Sequence, residues 1–275
     1  MATLDDLVRL ITPPENPVGF GGDWQAVEVE LGLVLPSDFK ELAARYGEGD
    51  FDDISLLSPD DLLTSARDLL PMAGGFRDEF PEAVPFPLWP EPGGVLEWAR
   101  TGNGDSLCWL TGGEPDDWTT VVWNPRDSAD RYESSAVAFL CAYFGGELDM
   151  PLLGSPPPAP WFDPRRDRSH VLVRLHGGEL PYEQRLRILR DAVRPTADRG
   201  AFDGGESGRQ DHFKAVGRDW LLTYENAYGH GIRVAYPPED DEEARTVILD
   251  AVDAMGCQVR SITTYEGEPT WSRGE

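Results

Sequence analysis

Apolar residues recur at helical spacing in the first third of the chain. A first stripe, with Gly32 near its end, predicts a helix from about residue 23, and a second predicts a helix that ends at Gly47. Ser58 followed by Pro59 resembles an N-cap and a proline at the first helical position, so a third helix is expected to run to Leu69. The two stripes consist of Trp24, Val27 and Leu31, and of Phe39, Leu42, Ala43 and Tyr46.

The pattern then changes from helical to extended. Residues 71–92 contain too many prolines for central strands and are expected to form an irregular covering loop. Residues 95–100 and 106–110 flank a Gly/Asn turn and predict an antiparallel hairpin, and residues 119–123 predict a third strand. Ser134 is expected to cap a last helix that ends at Gly145. The aromatic residues expected to be buried under the loop are Phe76, Phe80, Phe86 and Trp89.

The periodicity divides the chain into two domains. Residues 151–168 are proline-rich and are expected to form a stiff linker that belongs to neither core, between a first domain of residues 1–150 and a second of residues 169–275. The second domain is expected to follow a βαββαβ-like order, which is typical of a ferredoxin-like α/β sandwich. The predicted fold class is therefore α+β in both domains.

Composition agrees with two globular domains, since 275 residues exceed one typical domain and 40% of them are hydrophobic. The net charge of −26 argues against nucleic acid and anionic membranes as partners. Residues 1–153 hold 29 acidic and 8 basic residues, whereas residues 154–275 hold 21 and 16, so the excess charge lies in the first half. A basic protein partner is one explanation, and solubility is the other.

Three further features bear on location and chemistry. The cysteines, Cys108, Cys141 and Cys257, are odd in number and predict reduced core residues. No apolar stretch approaches the ~20 residues of a membrane span, and the first residues lack a basic segment before an apolar one. A cytoplasmic location is therefore expected, and no membrane partner.

The N-terminal motifs resemble the opening of the SUKH superfamily of bacterial immunity proteins. The hairpin, the third strand and the closing helix follow where that superfamily places them, over about residues 20–147. The motifs are WQAVE (24–28), LPSDFKEL (35–42), YGEGDF (46–51), NGD (103–105), CWL (108–110), WTTVVW (118–123) and AFL (138–140). The resemblance implies a SUKH-like α+β domain with a twisted antiparallel sheet and helices. It also implies a non-catalytic antidote to a nuclease or another toxin, although some relatives act as intracellular hub or cell-wall regulatory proteins.

Candidate catalytic groups do not form a known motif. The chain lacks a phosphate-binding loop, a nucleophile elbow and paired cysteine motifs, and residues 204–208 are expected to be a flexible loop. His170 and His176 are six residues apart on a predicted strand, roughly 20 Å, which is too far for one metal ion. No catalytic residue, metal site or cofactor is predicted, and the chain is not expected to be an enzyme.

Acidic loops of the first domain are the predicted partner-binding surface. They flank predicted strands and contain glycines, as recognition loops often do. Trp118 follows two acids, so it could anchor a cationic surface, although it could equally begin a strand in the core. The predicted contact residues are Glu48, Asp50, Asp52, Asp53, Glu114, Asp116, Asp117 and Trp118.

The sequence therefore predicts a cytoplasmic immunity-type protein that binds and neutralises a basic toxin domain, most simply a cationic nuclease. An intracellular regulatory or scaffold protein with an endogenous partner is the alternative. A ligand sensor or enzyme housed in the second domain is a third possibility. The sequence leaves the oligomeric state and the identity of the partner open.

Overall fold

A computed structural model describes residues 2–19, 23–124, 128–148, 150–157, 159–205 and 208–271, without the side chains of residues 69–72 and 76. The chain divides into two compact units, unit 1 (Met1–Arg165) and unit 2 (Arg166–Glu275). Among the described residues, no helix is both long and apolar enough to span a bilayer. The expected burial of Phe76 and the expected loop conformation of Glu206 and Ser207 lie outside the described residues.

Unit 1 combines helices with an antiparallel sheet. The strand order is β6-β5-β4-β3-β2-β1-β7. The helices are α1 (Leu4–Leu10), α2 (Trp24–Leu31), α3 (Ser37–Tyr46), α4 (Pro59–Thr64), α5 (Leu70–Glu79) and α6 (Ala136–Phe144). The strands are β1 (Gly49–Phe51), β2 (Ile54–Leu56), β3 (Val95–Thr101), β4 (Ser106–Leu110), β5 (Thr119–Trp123), β6 (Ala129–Tyr132) and β7 (Phe162–Pro164).

The core of unit 1 lies on both faces of this sheet. On one face, Phe39 of α3 packs edge-on against Trp109 of β4, with the ring centroids 4.8 Å apart. On the other face, the Ser65 hydroxyl, in a π-helical turn after α4, donates to the carboxylate of buried Glu97 at 2.6 Å. Cys108 pairs with Glu97 in the sheet register, so residues 108 and 109 point to opposite faces. The central strand β3 is therefore covered on both sides.

Helix ends follow local chemistry. The Asp23 carboxylate accepts a hydrogen bond from the Ala26 amide, and Gly32 ends α2 in the left-handed region, at a φ of 69°. The Ser58 hydroxyl accepts from the Asp61 amide at the start of α4. The expected cap of α6 is wrong by one residue, because Ser135 rather than Ser134 accepts from the Ala138 amide.

The proline-rich segment is more ordered than expected. Residues 71–92 are not an irregular loop throughout, because α5 occupies the first part and follows directly on the π-helical turn of residues 65–69. The expected burial of Phe80 is also wrong, since the side chain is 44% exposed. Phe86 is half-buried and packs edge-on against Trp123, with a centroid distance of 5.3 Å, and Trp89 is half-buried.

The expected linker, residues 151–168, is wrong in its central part. Residues 162–164 form β7, which pairs with β1 at the edge of the unit 1 sheet. Phe162 is buried in the core of unit 1, with its ring centroid 4.8 Å from that of Phe51. The prolines are compatible with this arrangement because an edge strand needs hydrogen-bond donors on one side only.

The described part of unit 2 contains a six-stranded antiparallel sheet and two α-helices. The strand order is β13-β8-β12-β11-β10-β9. The helices contribute Leu186, Leu189, Ile248 and Val252 to the unit 2 core. The elements are β8 (Ser169–Gly177), α7 (Tyr182–Ala192), β9 (Thr196–Asp203), β10 (Arg209–Ala215), β11 (Trp220–Glu225), β12 (Gly231–Tyr236), α8 (Asp241–Ala254) and β13 (Cys257–Thr264).

The expected six-element order of this region is incomplete, because the structure has βαββββαβ. Two strands are absent from the expected order. One of them is β9, which pairs with β10 at the sheet edge and has no buried side chain. An edge strand exposed on both faces carries no alternation of apolar and polar residues, so no local pattern predicts it. The three cysteines are buried and form no disulfide, as expected.

Candidate functional site

The first predicted acidic group surrounds β1 and its turn into β2. Asp52 and Asp53 form the turn, and Asp52 has a left-handed φ of 54°. Partial burial raises the pKa of Asp53, and the nearby carboxylates of Asp50 and Asp105 raise it further, against a hydrogen bond from the Gly102 amide. Negative charge is therefore concentrated here, beside the β3–β4 hairpin.

The second predicted group lies in the connection between β4 and β5. Glu114, Asp116 and Asp117 are exposed, and Asp116 accepts a hydrogen bond from the Ser37 amide at 2.6 Å. This hydrogen bond lowers the pKa of Asp116. Asp116 therefore satisfies a free amide in the first turn of α3, which is a structural role the sequence did not suggest.

These two groups lie toward opposite ends of the unit 1 sheet. Ile54 pairs with Thr101, so the β1–β2 turn lies at the same end as the β3–β4 hairpin. The β4–β5 connection leaves from the other end of β4, whose five residues span about 17 Å. The structure therefore does not bring the eight predicted residues together in one site.

Trp118 is a core residue. Its side chain is 4% exposed, and its ring centroid lies 6.0 Å from that of Trp109. Its indole N–H points to the Gly113 carbonyl at 3.5 Å, a weak contact. The interpretation of Trp118 as an exposed anchor is wrong, because the strand start turns its side chain inward.

A groove beside α2 and α4 brings acids together that the sequence pattern did not. It has a volume of about 540 Å³, with Val27 and Leu63 among its apolar residues. Arg67 forms an ion pair with Glu30, and Arg165 lies 3.3 Å from Glu48. Of the groove acids, only Glu48 was among the predicted contact residues. Asp23 and Asp60 lie at the starts of predicted helices, and the packing of α2 on α4 cannot be derived from a local sequence pattern. The four acids of the groove are Asp23, Glu30, Glu48 and Asp60.

These acids adjoin the β1 acids along the chain. Glu48 lines the groove and precedes β1, and Asp50 follows it two residues later on the same side of the strand, since side chains alternate. The chain then enters the turn. We call this surface the acidic strip: Asp23, Glu30, Glu48, Asp50, Asp52, Asp53 and Asp60.

Two contacting groups of unit 2, His230 and Tyr224, have pKa values far from pH 7. The His230 ring lies 2.9 Å from the Tyr224 hydroxyl, and burial, with the nearby Arg185 charge, lowers the pKa of His230 to about 4. Burial raises the pKa of Tyr224. A general acid or base works best with a pKa near the working pH, so this pair is poorly matched to that task. In the described part of the chain, no three His, Cys, Asp or Glu residues are grouped to hold a metal ion.

Comparison with known families and proteins finds one family model that matches the N-terminal region. Neither the curated proteins nor the solved structures contain a match. A family model matches residues 22–140, under the name SUKH_6 and the description SMI1-KNR4 cell-wall. The SUKH family is generally associated with non-catalytic immunity proteins, and the SMI1-KNR4 name is also compatible with other roles. The match includes α2, α3 and the strands β1 to β6, and it supports a SUKH superfamily assignment for this N-terminal region.

Proposed function

We propose that the chain is a non-catalytic immunity-type protein that binds and neutralises a basic toxin domain, most simply a cationic nuclease. The observation that carries this proposal is the acidic strip, which lies in the SUKH-like unit and includes a groove with apolar residues at its base. A cationic side chain entering such a groove would gain both charge pairing and contact for its apolar stem.

The charge distribution supports a basic partner. Residues 1–165 hold 30 acidic and 9 basic residues, a net charge of −21, whereas residues 166–275 hold 20 and 15. Attraction between a surface of this charge and a cationic protein can raise association rates to about 10⁸ per molar per second at low salt. Fast capture suits an antidote, because a nuclease damages the cell for as long as it is free.

The contact is proposed to centre on the acidic strip. Glu114, Asp116 and Asp117 would join only at the margin of a large interface, since they lie toward the other end of the sheet and Asp116 already caps α3. Trp118 is left out because it is buried.

The test uses the purified chain and a cationic nuclease domain, chosen from any toxin gene that adjoins the gene for this chain. Substoichiometric to saturating amounts of the chain are added to the nuclease, and cleavage of plasmid DNA is measured. Association kinetics are then recorded between about 50 and 200 mM salt. The proposal predicts stoichiometric inhibition and association that slows as salt rises.

A charge-matched pair of double variants localises the contact. Asp52→Asn with Asp53→Asn removes two charges from the acidic strip, and Glu266→Gln with Glu268→Gln removes two from an exposed turn of unit 2. The first pair should slow association about tenfold at low salt and the second should leave it nearly unchanged. Full nuclease activity at saturating concentrations of the chain would refute the proposal. Equal effects of the two double variants would refute the contact surface alone.

A regulatory or scaffold protein with an endogenous partner is the second candidate. The words cell-wall in the description of the matching family favour it. In that case, affinity capture from the producing cells without any toxin should return one stoichiometric basic partner, and the adjoining nuclease should not bind.

We further propose two independently folding domains in a cytoplasmic protein. The inner strands of unit 2 run β13-β8-β12-β11, with α7 after β8 and α8 before β13. This arrangement supports a ferredoxin-like sandwich extended by β9 and β10. Separate expression of residues 1–165 and 166–275 tests the independence of the domains, each of which should unfold cooperatively.

A further inference from the structure

The unit 2 sheet has one face that its own helices do not cover. Side chains of the central strands alternate, and Val173, Leu222 and Ile232 point to the helix-packed core. The opposite row consists of successive cross-strand partners, most of them half-buried or exposed: Gly200, His212, Thr223, Arg233, Leu172 and Thr263. This second row is accessible from one side within unit 2. We call this side of the sheet the open face.

A groove of about 620 Å³ lies on the open face. Its size is within the range of small-molecule sites, about 300–1,000 Å³. Leu172, Leu221 and Ala235 supply an apolar floor, and Tyr265 stands at the rim with 85% of its surface exposed. A flat apolar body could lie on this floor, since the side chains of a sheet form a nearly planar layer.

The groove is cationic in a strongly acidic protein. Arg199 and Arg233 line it, and none of its 16 lining residues is acidic, although 50 of the chain's 275 residues are. Glu225, the acid that pairs with Arg233, is fully buried and accepts hydrogen bonds from Gln210 at 2.8 Å and Arg233 at 3.0 Å. An anion would therefore meet donors here rather than carboxylates.

The geometry of Arg233 leaves donors for a ligand. Its Nε atom donates to Glu225, which fixes the guanidinium, while about half of the side chain remains exposed. Among the described residues, its two terminal nitrogens make no hydrogen bond, and a guanidinium has five N–H donors. A guanidinium held in this way suits a carboxylate, sulfonate or phosphate group.

His212 adds a neutral polar group beside the arginines. Its Nδ1 atom lies 2.9 Å from the Thr223 hydroxyl, which orients the ring. Burial lowers the pKa of His212, which favours the uncharged ring. The two arginines supply positive charge to the groove that does not depend on pH near neutrality.

We propose that the open face of unit 2 binds a small organic anion with a flat apolar body. The apolar floor would hold the body, and Arg199 and Arg233 would hold the anionic group. This site is independent of the toxin-binding surface proposed for unit 1 and would give the second unit a ligand-sensing role.

The test uses 1-anilinonaphthalene-8-sulfonate, an aromatic sulfonate, and its uncharged analogue N-phenyl-1-naphthylamine. Each is titrated into the folded full-length chain while amide resonances are followed by NMR. The sulfonate should bind at one site and shift the amides of Leu172, Leu221 and Thr223. The uncharged analogue should bind at least tenfold more weakly, because it lacks the group that the arginines contact.

Two variants and a matched control locate the site. Arg199→Gln should weaken sulfonate binding roughly tenfold, and Leu221→Glu should abolish it by placing a carboxylate on the floor. Arg187→Gln removes the same charge from an exposed position on α7 and should have little effect. Amide spectra of each variant establish that it is folded before binding is compared.

Three results would overturn the proposal. The first is equal binding of the two compounds, or binding that neither open-face variant changes in a folded chain. The second is a shift of these amides by polyglutamate or an oligonucleotide but not by the sulfonate, which would indicate a macromolecular partner. The third is a shift of these amides with protein concentration alone, which would indicate contact between copies of the chain.

Discussion

Replacing Trp118 by alanine should destabilise unit 1 rather than only weaken partner binding. The loss of a buried tryptophan costs about 3–5 kcal/mol, from lost burial and from the cavity left behind. The side chain is 4% exposed and packs on Trp109, which places it in this class. Because Trp118 stands at the end of an exposed loop, where the surroundings can relax more than within a strand, we expect about 3 kcal/mol, at the lower end of the range.

Urea unfolding of the full-length chain measures this change. With a slope near 2 kcal/mol per molar, a loss of about 3 kcal/mol should lower the unit 1 midpoint by about 1.5 M. Trp118→Phe retains an aromatic ring and should lose less than half as much. Tyr265→Ala removes an aromatic ring that is 85% exposed, and it should change the free energy of unfolding of unit 2 by less than about 0.5 kcal/mol. An unchanged unit 1 midpoint for Trp118→Ala would refute the assignment of Trp118 to the core.

Three further outcomes are expected. A fragment of residues 1–150 should unfold at lower urea concentration than one of residues 1–165, since only the longer fragment contains β7. Glu28→Gln should reduce stability at pH 7 by about 1 kcal/mol, because Glu28 accepts from the Lys40 ammonium at 2.7 Å. Partial burial alone would raise the pKa of Glu28, but the Lys40 ammonium outweighs it and lowers that pKa. The stability difference between wild type and Glu28→Gln should therefore disappear as the pH is lowered through the pKa of Glu28 in the folded protein. Asp53→Asn should raise stability at pH 7, and the gain should shrink in more acidic scans, because the wild-type pKa of Asp53 is raised and protonation removes the same penalty.

Each of these outcomes can be contradicted by the same data. Equal midpoints for the two fragments would remove β7 from the folded unit. If Glu28→Gln still reduces stability well below the pKa of Glu28 in the folded protein, the loss comes from altered packing and not from the missing charge. If Asp53→Asn raises stability by the same amount at every pH, the negative charge of Asp53 is not what destabilises the wild-type protein.

Elements with a one-sided apolar pattern could be predicted from the sequence. The stripe of α3 matches the residues that the structure buries, and the β3–β4 hairpin matches its Gly/Asn turn. Two edge strands, β7 and β9, could not be predicted in this way. β7 ends in Pro164, follows Pro160 closely and pairs with distant β1, and β9 buries no side chain, so neither has a local pattern that distinguishes it from a loop.

The candidate site could be predicted only in part for a similar reason. Acidic loops are visible in a sequence, but their positions around a sheet depend on strand order. Asp52 and Asp116 looked equivalent, yet one lies in the turn of the β1–β2 hairpin and the other caps α3 at the far end of β4. The acids of the groove were missed because α2 and α4 meet only through tertiary packing.

The pairing of β1 with β7 also determines when unit 1 can finish folding during translation. The ribosome makes β1 early, but its edge partner and Phe162 follow only after all the other strands and helices of unit 1. Until then, Tyr46 and Phe51 lack the ring that covers them in the finished protein. The nascent unit therefore exposes an apolar edge through most of its translation. The core of unit 1 can be completed only when the chain has been made to residue 165, and not when the region that matches the family model ends at residue 140.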